Sequence, residues 1–66
     1  MNKEKIEKEL AEEFIEKIKK DGYFYEENLL EKCLKIKEGN RDRAFKLKRS
    51  VEWIISQYYD LNKIMK

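Results

Sequence analysis

With 66 residues, one cysteine, no histidine and no proline, the chain has room for one small domain and excludes an intrachain disulfide and the common zinc sites. Charged side chains make up 45% of it, 16 basic against 14 acidic, and no apolar run nears the roughly 18 residues of a membrane span. A domain of this size buries only about 60% of the surface its unfolded chain exposes, so very regular packing or a partner chain is expected. No signal-peptide core follows Met1, which makes a cytoplasmic location the expectation. Thirteen lysines and eleven glutamates with no threonine match the composition of proteins from hot habitats, although an AT-rich genome gives the same bias.

The first element is a helix over residues 3–20. Ile6, Leu10, Phe14 and Ile18 recur every four positions, and Ala11 and Ile15 widen the stripe. Lys19 and Lys20 suit the negative end of its dipole, and Asp21-Gly22 supplies a left-handed cap. Glu9, Glu12, Glu13 and Glu16 form an acidic ridge on the other side, with Glu13–Lys17 and Glu16–Lys20 placed as i,i+4 pairs.

Three consecutive aromatics, Tyr23, Phe24 and Tyr25, cannot share one helical side, so they read as a linker folding back onto the bundle. A second helix follows over residues 26–38, starting at Glu26 or at Asn28 with Glu31 as capping-box partner. Leu29, Leu30, Cys33, Leu34 and Ile36 make its buried face, and Gly39 stops it. Asn40 caps a third helix, with Asp42 in the first turn. Nothing breaks that helix before the end of the sequence, so it is predicted to run over 41–65, about 37 Å. Such a helix overhangs its shorter partners.

At about 100° per residue, Ala44, Leu47, Val51, Ile54, Ile55, Tyr58, Leu61 and Met65 share the core side of the third helix. Trp53 and Ile64 fall almost opposite, with Lys46, Gln57 and Asp60 around them and Phe45 between the two sides. The predicted fold is all-α, a small antiparallel three-helix bundle with a long C-terminal helix. The alternative is a helical hairpin dimer in which helix 1 is exchanged between chains.

Little catalytic chemistry can be assembled from these residues. Without histidine the usual general base and the Ser-His and Cys-His pairs are missing. Gly22 and Gly39 are isolated, so there is no glycine-rich phosphate cradle. Di-iron bundles need Glu-x-x-His units, and Cys33 among leucines reads as a small core residue. No enzyme activity, cofactor, metal or small-molecule substrate is expected.

Charge is the sharper signal. Residues 1–31 carry six basic and ten acidic side chains, whereas residues 32–49 carry eight basic against Glu38 and Asp42. The basic block covers the end of helix 2, the Gly39-Asn40 turn and the start of helix 3. The first functional expectation is a small regulatory or adaptor protein that binds a protein partner, or itself as a homodimer, through Phe45, Trp53, Gln57 and Ile64. The second is a nucleic-acid-binding protein of helix-turn-helix type, contacting phosphates through Arg41, Arg43, Lys46 and Arg49.

Overall fold

A computed structural model describes residues 3–66 of the chain, with side chains from residue 5. Helix α1 spans Lys3–Asp21, α2 Glu26–Ile36, α3 Arg41–Ser56 and α4 Leu61–Ile64. The expected all-α bundle is present, and α3 is its centre. Both α1 and α2 pack on α3, and they touch each other little. In particular, α1 lies on the α3 of its own chain.

The breaks fall where backbone chemistry demands them. Gly22, at φ 86°, donates its N–H to Ile18 O over 2.7 Å and closes α1. The 23–25 linker folds inward as its aromatics suggested: Phe24 is buried, with its ring 5.2 Å from that of Phe14. α2 starts at Glu26 and not at Asn28, whose N–H is already bonded to Tyr25 O over 3.0 Å. It ends at Ile36, two residues before the predicted stop. The cause is a left-handed pair, Glu38 at φ 53° and Gly39 at φ 82°, which turns the Gly39 N–H onto Leu34 O at 2.8 Å. Ile36 thereby lies outside the core, 40% exposed, instead of on the buried face. Asn40 caps α3 as expected, its side-chain oxygen accepting from the Arg43 N–H at 3.1 Å.

The predicted helix over 41–65 is broken. α3 stops at Ser56, and residues 57–60 form a turn in which the N–H groups of Tyr58 and Tyr59 both bond to Ile55 O. Ser56 Oγ donates to Trp53 O at 2.6 Å and Gln57 Nε2 donates to the same carbonyl at 3.2 Å. These side chains satisfy a carbonyl that a continuing helix would have used, as short polar residues do at helix ends. Asp60 then starts α4 by accepting from the Asn62 N–H at 3.0 Å.

The break solves the overhang. The molecule is 29 Å along its longest axis, shorter than an unbroken third helix would be. By turning back, the tail buries Ile64 and packs Tyr59, Leu61 and Met65 against the core. Two assignments are therefore reversed: Tyr58, expected inside, is 69% exposed, and Ile64, expected on the outer face, is only 7% exposed. The tail is also laced to the linker by parallel pairing of Phe24 with Met65. The Phe24 N–H donates to Ile64 O at 2.8 Å, the Lys66 N–H to Phe24 O at 3.0 Å, and the Glu26 N–H to Lys66 O at 3.0 Å.

The core joins Leu10, Ala11, Phe14 and Ile18 of α1 to Leu29 and Cys33 of α2 and to Ala44, Leu47, Val51 and Ile55 of α3, with Phe24 and Ile64 closing one end. Cys33 is fully buried, and burial pushes its thiol up to about 11. A thiol so placed is a packing group.

Candidate functional site: the outward face of α3

Helix α3 presents its core stripe to α1 and α2 at once, which leaves the opposite side to solvent over its whole length. Phe45, Arg49 and Trp53 follow one another at i, i+4 and i+8, forming a single outward row. Phe45 is 43% exposed and Trp53 66%. Arg41, Arg43 and Lys46 flank the row and are exposed as well. Among the described residues, no carboxylate comes within salt-bridge distance of Arg41, Arg43, Lys46 or Arg49. Asp42 lies on this side at the N-terminal end of α3, and Glu7 of α1 borders it further along.

Two open clefts run along the face. One, of about 380 Å³, is lined by Lys37, Arg43, Lys46, Leu47 and Ser50. The second, of about 370 Å³, is lined by Glu7, Arg49, Ser50, Trp53 and Ile54. Ser50 belongs to both, so they form one groove along α3. Its first half carries three cations and no acid; its second half carries the tryptophan.

Two members of the basic block are paired with carboxylates of the chain. Lys32 of α2 is 3.0 Å from Glu13 of α1, so that one residue of the acidic ridge meets the basic block within the chain. The predicted Glu13–Lys17 and Glu16–Lys20 pairs do not form. Glu16 instead lies 3.7 Å from Lys19, and Lys17 Nζ sits 5.1 Å from the centre of the Phe14 ring. Lys48 is only 7% exposed, and its ammonium donates to Glu26 Oε1 and to Glu52 Oε1, each at 2.7 Å. Burial works against that charge, but the two hydrogen bonds outweigh it, and Lys48 titrates above the ordinary lysine value.

The structure thus brings Arg43, Lys46, Arg49, Phe45 and Trp53 to the outward side of α3, with Arg41 exposed on the flank away from Arg43. Ile64 does not join them, because it lies in the core. Gln57 is close to the row, with its amide turned back on the Trp53 carbonyl. Lys37 and Ser50 complete the groove; Lys37 belongs to the basic block without having been singled out, and Ser50 was missed in the sequence. Lys37 follows the last residue of α2, where helical periodicity no longer says which way a side chain points. Among the described residues, no group of three histidine, cysteine or acidic side chains converges to hold a metal ion, and no helix is long and apolar enough to cross a membrane. Comparison with protein-family models, with curated proteins and with solved structures finds no match to this chain.

Proposed function

We propose that the protein works by binding and not by catalysis, and that the outward face of α3 grips a nucleic-acid backbone. The observation that carries this reading is the set Arg41, Arg43, Lys46 and Arg49, all exposed on the first turns of α3 with no intrachain carboxylate partner among the described residues. Cations left unpaired at close spacing repel one another unless counterions or a polyanion neutralise them. A phosphate chain does so with a gain in entropy, because condensed ions are released from it. Lys37 adds a fifth cation from the α2–α3 turn. The test is binding of oligonucleotides over a range of salt concentrations. Affinity that falls steeply as salt rises supports this reading, and absence of binding at about 50 mM salt removes it.

A second reading is favoured by Trp53. A tryptophan left 66% exposed beside Phe45 and Arg49 has the composition of an interface anchor, and the partner is then a protein or a second copy of the chain. Sedimentation at micromolar concentration separates the two: a dimer that Trp53→Glu dissociates into folded monomers supports self-association.

A further inference from the structure

We infer that the strand held by α3 is single-stranded, with its phosphates along Lys37, Arg43, Lys46 and Arg49 and one base stacked on Trp53. This inference rests on the nucleic-acid reading above and names its substrate class. The two halves of the groove differ in chemistry. The first holds Lys37, Arg43 and Lys46 with the Ser50 hydroxyl beside them, four donors without a carboxylate. In the second, Trp53 and Ile54 form an apolar wall, and the charge of Arg49 is offset by that of Glu7. A groove that is cationic at one end and aromatic at the other matches a chain with charge on its backbone and flat apolar faces on its side groups.

A duplex has no such face to offer, because its bases are stacked on one another and paired; Trp53 would meet only sugar and phosphate. The dimensions agree with a short single strand. Ten residues separate Arg43 from Trp53, about 15 Å of helix at 1.5 Å per residue. A stacked strand advances 3.4 Å per nucleotide, so the groove spans about four nucleotides.

Trp53 is the sole tryptophan, so its emission reports stacking directly. The full chain is titrated with an oligothymidylate about a dozen nucleotides long, with an abasic deoxyribose-phosphate chain of equal length, and with a duplex of that length. The oligothymidylate is expected to quench the emission, and the abasic chain to bind without quenching. Trp53→Ala is expected to weaken the oligothymidylate about 5- to 150-fold, from 1–3 kcal/mol for one stacked base, and to leave the abasic chain unaffected. Trp53→Phe keeps an aromatic face and restores most of the loss. Equal affinity for duplex and single strand, with neither altered by Trp53→Ala, overturns this inference while the backbone-binding reading survives. If none of the three probes binds at about 50 mM salt, both fall.

Discussion

Lys48 Nζ and Glu26 Oε1 lie 2.7 Å apart although 22 positions separate them, and this bond ties the middle of α3 to the first residue of α2. Glu52, one turn further along α3, takes a second hydrogen bond from the same ammonium. Replacing Lys48 by Met keeps most of the apolar stem but leaves two carboxylates facing each other. Lys48→Met is expected to cost about 2 kcal/mol, read as a lower urea midpoint with unchanged slope. The mutant's urea midpoint should also recover at high salt, since salt screens the Glu26–Glu52 repulsion. A midpoint equal to wild type would show that the triad contributes no net stability.

Alkali should destabilise the protein before most lysines titrate. The Cys33 thiol loses its proton near 9.0 when unfolded and near about 11 when folded. Its contribution is therefore complete below pH 9 and is lost as pH rises toward 11, because the unfolded chain releases its proton first. The slope approaches about 1.4 kcal/mol per pH unit. Urea unfolding measured between pH 8 and 10 should show this decline, and Cys33→Ala should flatten it while lowering stability at pH 7. Lys48 adds a further loss only above 10.5, where its own raised value is crossed.

Ile64 gives the clearest test of the broken third helix. Truncation of a frayed, outward isoleucine costs almost nothing, whereas Ile64→Ala in the observed fold should cost about 2–3 kcal/mol. Thermal melting should show a lower midpoint for Ile64→Ala than for Trp53→Ala, although tryptophan loses far more volume. The reverse order would restore a continuous helix.

Glu38 holds a left-handed backbone that a β-carbon disfavours by roughly 1–2 kcal/mol. Glu38→Gly removes that strain at the cost of a looser unfolded chain, for a net stabilisation of a few tenths to about 1 kcal/mol. Gly39→Ala, at φ 82°, should destabilise by about 1 kcal/mol even though no atom lies within 4 Å of the new methyl. Equal midpoints for the two variants would contradict the turn geometry.

For the proposed groove, four neutralised phosphates on a single strand give a slope of log K against log salt of about −2.8. Arg43→Gln with Arg49→Gln should reduce its magnitude by about 1.4 and leave helicity unaltered. Lys48→Gln should leave the slope unchanged, because that ammonium already serves Glu26 and Glu52. A slope that responds equally to Lys48 would place the binding surface elsewhere.

The three long helices were readable because their signals are local: the four-residue rhythm of Ile6 to Ile18, Gly22 and Gly39 at the stops, and Asn40 before Arg43. The break at residues 57–60 was not, since it contains neither glycine nor proline. Its cues are a Ser56–Gln57 pair and Asp60, which a long amphipathic stripe outweighs. Carrying 100° per residue through that turn put Ile64 on the wrong side, because a turn resets the helical phase. Of the site, the four unpaired cations and Trp53 were legible from charge clustering and phase. The loss of Lys48 to the interior was not, since Glu26 is remote in sequence. Nor was the groove itself, whose lining draws Lys37 from beyond the end of α2 and Glu7 from α1.

The central position of α3 also sets the order in which the chain can acquire structure. α1 and α2 have little surface for each other, and their shared partner begins only at Arg41. While the first forty residues emerge from a ribosome, each helix has an apolar stripe and nothing to lay it on. Isolated helices of such length are marginal in water. Hydrogen-exchange protection of α1 and α2 in ribosome-bound chains that carry a C-terminal linker long enough to fill the exit tunnel should therefore appear together, and only once residues 41–56 are outside.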